Sequence, residues 1–182
     1  TVPEVEQTER HGVYIVGYTD GTFGPSRSMT RSEAAAIFAR LLAEKNGDTI
    51  STAANTKFAD IPTHAWYSGY VKYLSNNGIT YGKSKTIFAP NDAITRAEFT
   101  TMAVRFFDVY GDGDAEIMEQ FSGFNDVSSG YWAAEYIKYA ALHGWINGYG
   151  DGSFHADREI NRAEVVTIVN RLLGREADEG YI

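Results

Sequence analysis

One stretch of this chain is written twice, in the same order and without a gap. Phe58-Ala-Asp60 returns as Phe124-Asn-Asp126, Trp66 as Trp132, Tyr70 as Tyr136, Lys72 as Lys138, Tyr73 as Tyr139 and Gly78 as Gly144. The match continues through Gly82 and Gly148, Phe88 and Phe154, Arg96-Ala-Glu98 and Arg162-Ala-Glu164, and Arg105 and Arg171. Upstream, Gly17, Phe23, Pro25, Arg31, Glu33 and Arg40 repeat the second half of the pattern, without the Phe-x-Asp and Trp part. A period of this size marks stacked supersecondary units that bury their apolar faces against one another.

Each full repeat reads as helix, glycine-rich loop, helix. Asp60 and Asp126 stand where an N-cap belongs, ahead of apolar faces at Trp66, Tyr70, Val71, Leu74 and at Trp132, Tyr136, Ile137, Ala140. That spacing places both tryptophans in the core, with an edge left to face a ligand. Gly78 and Gly144 then stop the helix. The second helix is announced by Thr30-Arg-Ser-Glu33, Thr95-Arg-Ala-Glu98 and Asn161-Arg-Ala-Glu164, capping boxes with a carboxylate three residues after the cap. The stripes behind them, such as Phe99, Met102, Ala103, Phe106 and Phe107, are wide and almost free of polar residues. Only this second helix is complete in all copies. The expected fold is therefore mainly α, with a pseudo-threefold central bundle of three helices, outer helices around it and glycine-rich loops. The short run Gly12-Val-Tyr-Ile-Val-Gly17 is read as an extended segment replacing the first helix of the first copy, and Ala43–Lys57 and Asp108–Gly123 as polar linkers.

Composition narrows the function. The chain has 182 residues, 43% hydrophobic, with 16 basic against 24 acidic side chains and a formal net charge of -8. An acidic chain is a poor duplex-coating protein. With no cysteine, disulfides, thiol nucleophiles and cysteine-based zinc sites are excluded. No apolar run approaches the ~20 residues of a membrane span, and the start lacks the basic end and apolar stretch of a signal peptide. The segment reads as part of a longer protein.

An arginine follows each cap of the second helix: Arg31, Arg96 and Arg162. A cation there opposes the helix dipole by about 0.3–1 kcal/mol, so its return in every copy needs a reason. Either the guanidinium ties the helix to a neighbouring repeat, or it forms an anion site together with free helix-end N–H groups. Both readings stay open. Before each arginine lies a loop: Gly17-Tyr18-Thr-Asp20-Gly-Thr-Phe23, Gly82-Lys83-Ser-Lys85-Thr-Ile-Phe88 and Gly148-Tyr149-Gly-Asp151-Gly-Ser-Phe154. Asp-Gly is turn chemistry, and the phenylalanine anchors the loop. An exposed Tyr18 or Tyr149 beside an arginine would suit an acidic sugar.

Phe-x-Asp, Trp, Gly-Tyr-x-Asp-Gly-Thr/Ser-Phe and Ile-Thr-Arg-Ala-Glu together resemble the S-layer homology family, over nearly the whole chain. The resemblance implies three tandem modules, 1–45 (first-helix motif missing), 58–108 and 124–174, forming one compact pseudo-trimer with grooves between modules. It implies a non-catalytic, extracellular anchor on the cell surface of Gram-positive-type bacteria, monomeric itself within a parent protein able to self-assemble. The implied partner is a peptidoglycan-linked secondary cell wall polysaccharide, often ending in pyruvate-ketal N-acetylmannosamine, whose carboxylate suits the arginines. The candidate ligand residues are Arg31, Arg96, Arg162, Gly17, Tyr18, Asp20, Lys83, Gly148, Tyr149, Asp151, Trp66 and Trp132. Copy two departs from the pattern: Lys83 and Lys85 replace the tyrosine and aspartate of the loop.

A helical-repeat scaffold for a protein partner is the rival reading. Catalysis by a pair such as Asp60 and Glu98 is not expected, because both have capping duties and an active site is not built in triplicate. No cofactor, nucleic acid partner, membrane insertion or metal is expected. The acidic stretch Asp112–Glu116 resembles a calcium loop only superficially, and a solvated linker explains it.

Overall fold

The capping boxes start their helices where the sequence places them. Thr30, Thr95 and Asn161 each accept the N–H of the glutamate three residues on, and that glutamate reaches back to the cap N–H. The computed structural model describes residues 13–111 and 121–175, and contains the helices α1 (Arg31–Asn46), α2 (Ser68–Asn76), α3 (Arg96–Tyr110), α4 (Ala134–Leu142) and α5 (Arg162–Leu172). Among the described residues there is no strand, only isolated bridges that join the extended residues ahead of α1, α3 and α5. The stretch 112–120, which includes the calcium-like run Asp112–Glu116, lies outside the described residues.

Those extended residues close a ring. Met29 N–H donates to Ile160 C=O (3.0 Å), Ile160 N–H to Ile94 C=O (3.0 Å), and Ile94 N–H to Met29 C=O (2.9 Å). All three side chains are fully buried, so each backbone group must find a protein partner, and each finds it in another repeat. The ring marks the pseudo-threefold axis. Helix α3 packs against both α1 and α5; at the α1–α3 contact the Phe38 ring lies 5.2 and 5.0 Å, centroid to centroid, from those of Phe99 and Phe106. The fold is the expected helical pseudo-trimer.

The short helices interleave the repeats. Helix α2 packs on α1 and α4 on α3, each on the long helix of the preceding repeat. The phenylalanine at the head of each motif stays with its own repeat, Phe58 against Phe88 and Phe124 against Phe154. Gly78 and Gly144 end α2 and α4 in the left-handed region (φ 74° and 68°). The amide after each glycine donates back to Leu74 or Ala140 C=O, closing the helix end.

Three expectations need correction. Asp60 and Asp126 do not cap α2 and α4, which begin well downstream without a side-chain cap. Their carboxylates instead accept the amides of Phe88 and Ala89, and of Phe154 and His155, at 2.6–2.9 Å. Ala89 and His155 are the non-glycine residues with positive φ among those described (58° and 54°). The two aspartate bonds hold this strained backbone. In the first copy the corresponding residue is Gly24 (φ 61°), which adopts the conformation without that help. Trp66 and Trp132 are not core: they precede their helices and are 54% and 57% exposed. Residues 14–17 form neither helix nor strand and do not stand in for a first helix; they are the counterparts of 79–82 and 145–148.

Candidate functional site: three grooves between adjacent repeats

The buried arginines define the joints. Arg31, Arg96 and Arg162 are only 3–5% exposed. Each Nε donates to a phenylalanine carbonyl of the next repeat around the axis: Phe88 (2.8 Å), Phe154 (2.8 Å) and Phe23 (2.9 Å). Each guanidinium lies over that phenylalanine ring, 4.5–5.0 Å from its centroid. Each Nη1 faces the capping-box glutamate of the same neighbour, at 3.0 Å for Arg31–Glu98, 2.7 Å for Arg96–Glu164 and 4.0 Å for Arg162–Glu33. This is the tie between repeats that the sequence left open, and it closes a cycle.

The expected free helix-end N–H donors are absent at these three helix starts. Arg31 and Ser32 N–H donate to Asp92 and Pro90 C=O, Arg96 and Ala97 to Arg158 and Ala156, and Arg162 and Ala163 to Arg27 and Pro25. The cap side chain takes the next amide. The neighbour's loop docks onto the helix end and consumes the donors an anion would have used. Any anion recognition at the joints must therefore use side chains or other loop amides.

Three grooves of one plan open beside these joints, and the pairing of loops with arginines follows directly. Arg162 faces the loop of Gly17 and Tyr18, Arg31 that of Gly82, and Arg96 that of Tyr149. The tryptophan comes from a third repeat: Trp66 lines the Arg162 groove and Trp132 the Arg31 groove. The Arg96 groove has no tryptophan of this kind; Trp145 lines it but is only 3% exposed.

A second arginine enters each groove from its long helix: Arg40, Arg105 and Arg171. Sequence reasoning did not single these out as site residues, although they recur at one spacing behind the first (31 to 40, 96 to 105, 162 to 171). Arg40 Nη1 donates to Tyr14 C=O (3.2 Å) and Arg105 to the Tyr136 hydroxyl (3.1 and 3.3 Å). Arg171 is exposed.

The tryptophans expected in the core are exposed, and the loop tyrosines stand beside arginines. Tyr18 and Tyr149 sit against arginines: Arg27 and Arg162 lie 3.9 and 4.8 Å from the Tyr18 ring, and Arg96 and Arg158 lie 5.1 and 5.5 Å from that of Tyr149. Trp66 and Trp132 are more exposed than either tyrosine, and Tyr149 is itself partly open to solvent. Asp20 and Asp151 brace their own loops by accepting the amide and hydroxyl of Thr22 and Ser153. Those bonds hold both carboxyls below the usual range. Lys83 Nζ is paired with Asp92 at 2.7 Å. Gly17, Gly82 and Gly148 sit against the backbone of their own loops, where a Cβ would meet a carbonyl at 2.6–3.0 Å.

Glu164 is the most heavily bonded carboxylate of the three joints. Burial pushes it up, but the Asn161 N–H, the charges of Arg96 and Arg158, and the Tyr149 hydroxyl outweigh this and hold it below the ordinary glutamate value. Burial conversely lowers Arg96 against the pull of that network.

The model of the S-layer homology domain matches residues 3–35, 57–100 and 123–166. Over 173 residues the chain is 35% identical to Cell surface glycoprotein 1 of Acetivibrio thermocellus, covering 91% of this chain and 7% of that protein. It is 32% identical to the Cellulosome-anchoring protein of the same organism, over 100% of this chain and 40% of that one. It is 31% identical to the Surface-layer 125 kDa protein of Lysinibacillus sphaericus, over 87% and 13%. The chain thus spans well under half the length of these relatives. No helix among the described residues is long and apolar enough to cross a membrane. With three consecutive matches that together take in most of its length, the chain belongs to the S-layer homology domain family.

Proposed function

We propose that this chain anchors a larger protein to the bacterial cell surface by binding, without catalysis, an anionic and specifically pyruvylated secondary cell wall polysaccharide linked to peptidoglycan. The observation that carries the reading is an exposed tryptophan and a pair of arginines facing one groove, as in Trp66, Arg162 and Arg40. A sugar ring stacks on an indole face, and a forked guanidinium suits a carboxylate such as that of a pyruvate ketal. Relatives named for the cell surface, for anchoring and for the surface layer support the location. In that groove Arg162 acts at the floor, Tyr18 holds its loop against the guanidinium, and Trp66 meets the saccharide.

Cosedimentation with purified cell wall sacculi tests this. Binding is expected to intact sacculi and to be lost once the secondary polymer is chemically stripped. Equal binding to stripped walls would overturn the polymer reading and favour a protein partner. Reducing ends released with time would overturn the non-catalytic one.

A further inference from the structure

The three grooves share a plan but differ in what they offer. We propose that the groove between the third and first repeats, built from Arg162, Tyr18, Arg40 and Trp66, is the principal saccharide site, and that the Arg96 groove is a structural joint that does not bind. This ranking rests on the saccharide-binding reading above.

A sugar ring needs room, a stacking face and an open donor, and among the described residues these coincide in the Arg162 groove. Its cavity volume is ≈ 260 Å³, space for about nine waters at about 30 Å³ each. Trp66 presents an indole that is 54% exposed. Arg162 donates through Nε to Phe23 and through Nη2 to Val16 (2.6 Å), but its Nη1 stands 4.0 Å from Glu33, beyond hydrogen-bond distance. Glu33 Oε2 is committed to the Thr30 cap, and Arg40 adds a second guanidinium, so cations outnumber carboxylates on the wall.

The other grooves each lack something. The Arg31 groove has Trp132 but only ≈ 90 Å³, about three waters' worth, and Tyr81 and Arg105 line it in contact with each other at 4.8 Å. The Arg96 groove has ≈ 320 Å³ but no exposed tryptophan. Its guanidinium is also spent: Nε on Phe154, Nη1 on Glu164 at 2.7 Å and Nη2 on Asn147 at 3.2 Å. Tyr149 and Arg158 crowd the same carboxylate.

The test titrates the whole chain with a glycoside of pyruvate-ketal N-acetylmannosamine and with its ketal-free counterpart, by calorimetry and by the indole N–H signals of the three tryptophans. Trp66→Ala and Trp132→Ala are both exposed-residue changes, and thermal melts check that each stays folded. About one ligand per chain is expected. The Trp66 signal should move while that of Trp145 stays. Trp66→Ala should weaken binding about tenfold or more, and Trp132→Ala and Tyr149→Phe by less than about twofold. Three ligands per chain, or Trp132→Ala or Tyr149→Phe as damaging as Trp66→Ala, would overturn the ranking while leaving the saccharide reading standing. A wild-type chain that binds neither the glycoside nor intact sacculi would overturn both.

Discussion

Arg96 Nη1 stands 2.7 Å from Glu164 Oε1, across the joint between the second and third repeats, and the equivalent atoms of Arg162 and Glu33 are 4.0 Å apart. One motif thus makes a tight tie at one joint and a looser one at another. The tight tie is part of the fold, since the guanidinium also satisfies the carbonyls of Phe154 and Asn147.

Replacing Arg96 by Met keeps the stem but leaves those acceptors and Glu164 short of donors. Breaking a buried pair costs about 3–5 kcal/mol. Glu164 keeps Arg158 and is about a fifth exposed, so the low end, about 3 kcal/mol, is expected from urea unfolding. Arg96→Lys should recover little of it, because a lysine cannot reach a carbonyl and a carboxylate with a planar fork.

Acid should act through the same carboxylate. Glu164 is held below its ordinary value, so it binds a proton less readily folded than unfolded. Its contribution is complete above the unfolded value near 4.3 and is lost as pH falls through the folded one. Urea midpoints taken between neutral pH and about pH 3 should fall less steeply for Glu164→Gln than for the wild type. An unchanged slope would show that Glu164 is not linked to folding.

Alkali has the opposite sign. Burial, helped by the hydrogen bond to Asp157, pushes the Tyr131 hydroxyl up to about 12 from 10.0. The folded state holds this proton more tightly, so the stabilisation is complete below the unfolded value and is lost as pH rises through the folded one. Ultraviolet titration should show a late-ionising tyrosine that disappears in Tyr131→Phe.

At the core, Phe106 is fully buried between Phe38 and Tyr110, with centroids at 5.0 and 4.7 Å. Phe106→Ala should cost about 3–5 kcal/mol in urea unfolding.

What the sequence made legible was what local chemistry determines. The starts of α1, α3 and α5 follow from a cap and a glutamate three residues apart, and their burial from a wide apolar stripe. The start of α2 did not follow. Asp60 has the residue type of a cap, but its carboxylate is used by Phe88 and Ala89, far along the chain. Trp66 fits the helical spacing on paper yet precedes the first residue of α2, where that period does not apply. The pairing of the Tyr18 loop with Arg162 was also hidden, because it joins the first repeat to the last and exists only once the ring at Met29, Ile94 and Ile160 has closed.

The aspartate clamp gives the most specific expectation. Ala89 holds a left-handed backbone (φ 58°), and Asp60 accepts its amide and that of Phe88. Asp60→Ala removes both acceptors, and each buried donor left unpaired costs about 1–3 kcal/mol. Ala89→Gly should by itself stabilise the chain by about 0.5–1 kcal/mol, because the left-handed penalty of an L side chain, about 1–2 kcal/mol, exceeds the extra unfolded-state entropy of glycine, about 0.5–1 kcal/mol. If the clamp works by holding backbone strain, Asp60→Ala should cost less in the Ala89→Gly background, a coupling a double-mutant cycle reads directly. The first repeat already has this arrangement, with Gly24 at φ 61°, so Gly24→Ala should be destabilising there. That glycine is further confined by Arg27 and Tyr18 at 2.9 and 3.0 Å from where a Cβ would stand. Additive costs at Asp60 and Ala89 would mean that the aspartate merely satisfies two amides and does not hold the turn.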